Sequence, residues 1–150
     1  MSLELTINNE IKSAMLAKEK VRLESLRAIK AAILLAKTAE GASGNELTDA
    51  DVIKIIQKLV KQRKESADIY IQQNRPELAE TEIAEAQAME VFLPKQMSEA
   101  ELEAELKKII ASVGATAPSD MGKVMGVATK ALAGKADGKA ISAMVKSLLG

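Results

Sequence analysis

Lys123 and Lys130 stand seven residues apart, Lys139 and Lys146 repeat that spacing, and Lys135 lies between the two pairs. Seven residues complete almost two helical turns, so each pair projects from one face of a helix. An ammonium group held toward water is a point charge suited to phosphate oxygens, and five on neighbouring faces would make a surface for a nucleic-acid backbone. Two ordinary solvated helix faces would carry the same spacing, and the sequence does not decide whether the faces are coplanar. Gly122 and Gly126 sit on the flank between Lys123 and Lys130 and the apolar stripe of Met121, Val124, Met125, Ala128 and Leu132. Within a helix each glycine costs about 1 kcal/mol relative to alanine, which implies close packing against a neighbouring helix or an incoming ligand backbone. Asp120 and Asp137 read as helix caps, with Gly134 and Gly138 punctuating the loop between. Because Asp120 already complements the positive end of its helix, a phosphate at that N-terminus is disfavoured.

Other chemistry is narrowed by what the chain lacks: it contains no His, no Cys and no Trp. Disulfides, thiol nucleophiles, thiolate zinc sites and imidazole bases are thereby excluded. Carboxylate, lysine or Ser-Lys chemistry remains, yet no arrangement of these marks a catalytic centre, and no cofactor or metal site is assigned. A second basic stretch, Lys58, Lys61, Arg63 and Lys64, reads as a solvated face with Lys61–Glu65 and Lys64–Asp68 pairs at i,i+4. The acidic run Glu77, Glu80, Glu82, Glu85 and Glu90 is scattered around its helix and also reads as solvated, without the spacing of a calcium loop. Met121, Met125 and Met144 read as core. Tyr70 and Phe92 are the only aromatics and cannot build a base-stacking platform. An RNA partner would be read by shape and backbone, and no DNA sequence readout is expected.

The elements that must position these residues are helices. The 150 residues are rich in Ala, Leu, Met, Lys and Glu, which favours an all-α class. Apolar spacing predicts seven helices: Leu3 to Ala17; Lys20 to Ala39; one opening at Thr48 and running to Ile71; Pro76 to Leu93; one capped by Ser98 and ended by Gly114; Asp120 to Ala133; and one capped by Asp137. A Gly41-Ala-Ser-Gly44-Asn loop separates the second and third. A boundary at Phe92-Leu93-Pro94 predicts an N-terminal bundle of four helices, residues 1–93, and a three-helix tail, residues 94–150. The zero net charge is a sum of unequal segments that do not follow this boundary. Residues 1–75 carry +3, residues 76–105 carry −8 and residues 106–150 carry +5. No apolar run is long enough to span a membrane, so no membrane partner is expected and the location is read as cytoplasmic.

Asp120-Met-Gly-Lys-Val-Met-Gly126 followed by Gly134-Lys-Ala-Asp-Gly138 resembles the GatB/YqeY family. Ser25-Leu-Arg27, Lys61-Gln-Arg-Lys-Glu-Ser66, Asn74-Arg75 and Phe92-Leu-Pro94 agree with it, so the resemblance covers essentially the whole chain. It implies an all-helical standalone YqeY-like protein whose C-terminal part is similar to the tail of the B subunit of glutamine-dependent tRNA amidotransferase. That enzyme is a carbon-nitrogen ligase with glutamine as amido-N-donor, and its tail is implied to contact tRNA. Neither an amidase-type Gly/Ser-rich segment nor a nucleotide-binding core is present here. The resemblance therefore implies a non-catalytic module that binds tRNA or structured RNA, or otherwise serves translation. Two alternatives stand beside it: an adaptor that presents the acidic segment or an apolar groove to another protein, and an accessory component that works only with translation or amidotransferase proteins.

Overall fold

A computed structural model describes residues 2–39 and 47–150. The chain is all-α, with no strand among the described residues: α1 (Leu3–Ala17), α2 (Lys20–Thr38), α3 (Asp49–Gln72), α4 (Pro76–Glu90), α5 (Glu99–Val113), a 3-10 turn (Pro118–Asp120), α6 (Met121–Ala131) and α7 (Gly138–Leu149). The Gly41–Asn45 loop expected from sequence lies outside the described residues. Two compact units are formed, one ending at Leu93 and the other Pro94–Gly150.

In the first unit, one apolar stripe from each helix meets in a core of Ile7, Leu26, Ile29, Ile33, Val52, Ile56 and Met89. Local signals set the helix ends. The Thr48 hydroxyl accepts from the Asp51 N–H while the Asp51 carboxylate accepts from the Thr48 N–H, closing a capping box at the start of α3. Asp49 reaches across to accept from the Leu3 N–H at 2.9 Å, tying that start to α1. Asn74 adopts φ 58°, a left-handed conformation that asparagine tolerates, and Pro76 supplies the first residue of α4. The apolar pattern carries α4 to Leu93, but the helix ends at Glu90. A residue before proline is kept out of the α region, so Leu93 cannot continue a helix into Pro94. The end tightens instead, with Phe92 N–H to Met89 O at 3.2 Å and Leu93 N–H to Glu90 O at 3.0 Å. Ser25 is the one buried polar residue among those described. Its hydroxyl donates to the Val21 carbonyl at 2.8 Å and lies 3.5 Å from the Glu85 carbonyl, so the buried oxygen is satisfied.

In the second unit, α5, α6 and α7 enclose Leu102, Leu106, Ile109, Val124, Ala128, Ile141 and Val145. Met121, Met125 and Met144 pack on this core half-buried. Ser98 and Glu101 close a second capping box, and Gly114 ends α5 at φ 71°. Helix α6 stops at Ala131, two residues before the apolar pattern does, because the chain turns with Lys135 N–H to Leu132 O at 3.0 Å and Gly134 at φ 78°. That positive φ is the reason for glycine at 134. The following loop is pinned to the segment before α5: Met97 N–H donates to Lys135 O at 3.0 Å, and Gln96 Nε2 to Gly134 O at 2.7 Å. These two bonds hold the loop that carries Lys135 and leads into α7.

Candidate nucleic-acid interface

Lys123, Lys130, Lys135, Lys139 and Lys146 are all exposed. Among the described residues none of the five forms an ion pair, whereas most carboxylates of the same unit are engaged elsewhere. Glu103 pairs with Lys107 at 3.2 Å and Glu105 with Lys108 at 3.3 Å, both within α5. Glu101 is held in the capping box. None of these five ammonium groups is thus held in an ion pair among the described residues, although Lys123 lies near enough to Asp120 to attract its carboxylate.

Asp120 is not the side-chain cap of α6 that its position suggests. Its carboxylate accepts from the Thr116 N–H at 3.0 Å and the Ala117 N–H at 3.2 Å, which locks the 3-10 turn ahead of the helix. Those two backbone donors, and after them the nearby Lys123 ammonium, hold the Asp120 carboxyl below the usual aspartate range. Asp137 occupies the N-cap of α7 in extended backbone, and its carbonyl accepts from the Ile141 N–H at 3.0 Å.

Of the two partners expected at the glycine pair, a neighbouring helix is not supplied by the described residues. A Cβ built on Gly122 or Gly126 meets nothing within 4 Å, and the same holds at Gly138. Gly122 and Gly126 thus leave open space at their own Cβ positions beside Lys123 and Lys130.

The second basic stretch behaves differently, and the partner of Lys64 is not the one expected. Arg63 Nε pairs with Glu85 at 3.2 Å, with side chains only 20% and 17% exposed. Lys64 pairs with Glu90 at 2.6 Å and not with Asp68. Both pairs run from α3 to α4, because packing the two helices brings the acidic face of α4 against the basic face of α3. Two of the glutamates read as solvated thus belong to a helix–helix seam. Lys61 is half-buried and engaged, and Lys58 is exposed. No group of three or more acidic side chains among the described residues converges as a metal site would require.

Sequence reasoning missed an open groove of about 520 Å³ in the second unit, lined by Gln96, Met97, Leu102, Lys135, Ala140 and Met144 among others. Its signal was available. Ala140, Ala143 and Ser147 recur around Met144 at i, i+3, i+7 and i+4, a strip of mostly small side chains beside the core stripe of α7. Exposed alanine carries no chemistry of its own, so the strip passes for surface until the pinned loop builds a wall opposite it. Among the described residues no helix is long and apolar enough to cross a membrane.

Residues 4–149 match the family described as Yqey-like protein. Two curated relatives carry the name "Altered inheritance of mitochondria protein 41, mitochondrial". That of Lachancea thermotolerans is 28% identical over 116 residues, 75% of this chain and 60% of the relative. That of Meyerozyma guilliermondii is 36% identical over 88 residues, 59% of this chain and 44% of the relative. The chain spans about half the length of these two relatives.

Proposed function

The chain belongs to the Yqey-like protein family, and on that premise we propose that it is a non-catalytic module that binds tRNA or similarly folded RNA in the cytoplasm. The carrying observation is the set of five exposed lysines on α6, the loop and α7 that have no ion-pair partner among the described residues. When a phosphate displaces the water and counterions of such an exposed ammonium no ion pair of the fold is broken, and only Lys123 also gives up part of its attraction for Asp120. The open Cβ positions at Gly122 and Gly126 support the same reading, because the missing side chains let a ligand backbone come closer to α6 there. With two aromatics in the chain, affinity comes from charge and shape. Any link to amidotransferase chemistry then runs through the shared RNA, with the bond-making groups on another protein.

Folded tRNA binding measured against salt tests this. If about four lysines each displace a counterion, log K falls with log[salt] with a slope of roughly −3 to −4. Changing Lys123, Lys130, Lys139 and Lys146 to Glu should abolish binding while the circular dichroism spectrum stays helical. No tRNA shift at ~50 mM salt, where such contacts are strongest, or wild-type affinity in the fourfold variant, counts decisively against it.

A further inference from the structure

The loop between α6 and α7 is fastened by a clamp with two rungs. Consecutive carbonyls, those of Gly134 and Lys135, are met by consecutive residues of the segment ahead of α5: Gln96 Nε2 donates to Gly134 O at 2.7 Å and Met97 N–H to Lys135 O at 3.0 Å. The other N–H of the same amide goes to Pro94 O at 2.9 Å. Both partners of Nε2 are acceptors only, which settles the amide with its nitrogen toward them. Gly134 is buried, and a backbone carbonyl drawn into a fold needs a donor of this kind. The Lys135 N–H is bonded in turn to Leu132 O at 3.0 Å. The backbone of Lys135 is thus held at its nitrogen and at its oxygen, while its side chain stays exposed.

The lysine so held has carboxylates close by. Glu99 and Asp137 line the same groove as Lys135, yet Lys135 is ion-paired with neither among the described residues. In a loop free to move, the flexible lysine stem would settle its ammonium on one of them, and every unordered residue would have to be fixed when a ligand binds. We propose that Gln96 is a positioning residue for RNA binding: it clamps the Gly134 carbonyl, sets the backbone of Lys135, and keeps that ammonium available to a phosphate instead of to Glu99 or Asp137. This role rests on the RNA-binding reading above and gives it a contributor without charge or RNA contact of its own. Of the two rungs, the one made by Gln96 can be removed by substitution, since the other joins backbone to backbone.

The test uses the full chain and folded tRNA, with wild type beside Gln96→Met, Lys135→Ala and the two combined. Methionine is unbranched like glutamine, adds no charge and donates nothing, so Gln96→Met opens the side-chain rung alone. Hydrogen exchange of the free protein reads the clamp without RNA: the Met97 amide should exchange faster in Gln96→Met while the helical amides of α6 and α7 stay protected. At ~100 mM salt each single variant should bind tRNA about fivefold more weakly and flatten the slope of log K against log[salt] by about one, the loss of one phosphate contact. The double variant should bind like Lys135→Ala, because Gln96 has nothing to position once the ammonium is gone. A role confined to stability would lower the active fraction and leave the slope as in wild type. Faster Met97 exchange with wild-type affinity and slope overturns the proposal, as do single losses that multiply to about 25-fold in the double variant or a Met97 amide indifferent to Gln96→Met. Wild type that fails to bind tRNA sinks the RNA reading and this role together; wild-type binding with an unmoved Gln96→Met sinks this role alone.

Discussion

Replacing Gly122 and Gly126 by alanine separates two reasons for having glycine in α6. Both lie in helical backbone, and an added Cβ meets nothing within 4 Å at either site. No packing penalty therefore opposes the gain in helix propensity. Gly126 is interior and should return about 1 kcal/mol; Gly122, in the first turn, should return about half of that. The gain of roughly 1.5 kcal/mol should raise the Tm of the Pro94–Gly150 transition by about 6–10 °C, followed by far-ultraviolet circular dichroism during heating. The same variant should bind folded tRNA about fivefold more weakly, the loss of one close backbone contact. Stabilisation with weaker binding is the signature of a position kept bare for a ligand. A destabilised double variant would refute the open-space argument itself, since it would mean that something packs on this face. Stabilisation with unchanged binding would leave the glycines without a part in RNA recognition.

Arg63→Ala leaves the 17%-exposed Glu85 without its partner and should destabilise the first unit by about 1–2 kcal/mol in urea unfolding, less than a fully buried pair because water still reaches the seam. Lys64→Ala, which removes the more exposed pair with Glu90, should cost about 0.5 kcal/mol or less. Asp120 should make the tail acid-sensitive in a defined direction. Its folded-state carboxyl titrates below the usual aspartate range because the Thr116 and Ala117 N–H groups donate to the ionised form. The stabilisation is therefore complete above the unfolded value and is lost as pH falls through the lower folded value. Asp120→Asn should lower stability at neutral pH and flatten that acid limb; unfolding curves from ~pH 6 to ~pH 2, spanning the carboxylate range, check it.

The helices were legible because their signals are local. Thr48 with Asp51 and Ser98 with Glu101 announce two starts in four residues each, and Gly114 announces an end through backbone conformation alone. Ends governed by competition between neighbours were read less well. The apolar residues Phe92 and Leu93 continue a helical pattern, yet the steric demand of Pro94 reaches back and converts their stretch to a turn that still packs on the core. Charge partners were the least legible, because proximity along one helix says nothing about the helix packed against it. Lys64 has Asp68 one turn away, but Glu90 is brought to 2.6 Å by the α3–α4 seam. The groove escaped for a related reason: its walls, Gln96–Met97 and Ala140–Ser147, lie more than forty residues apart in the chain.

The balanced net charge takes on a physical meaning once pairing is known. A protein can reach zero by neutralising charges in place or by carrying separated excesses, and the two differ in what they offer a partner. In the first unit four cations are matched across helices, Lys37 with Glu4, Arg22 with Glu10, Arg63 with Glu85 and Lys64 with Glu90, while others such as Lys12, Arg27 and Lys30 are exposed without an ion pair among the described residues. The −8 segment thus spends part of its charge inside the fold, which weakens its candidacy as an acidic docking surface. On α6, the loop and α7 the five lysines have no such partners among the described residues. An exposed pair that already satisfies itself must be broken before it can serve a ligand, whereas an unpaired ammonium has only water and counterions to release. On the proposed reading, attraction for a polyanion would follow the +5 excess of residues 106–150 and not the net charge of zero.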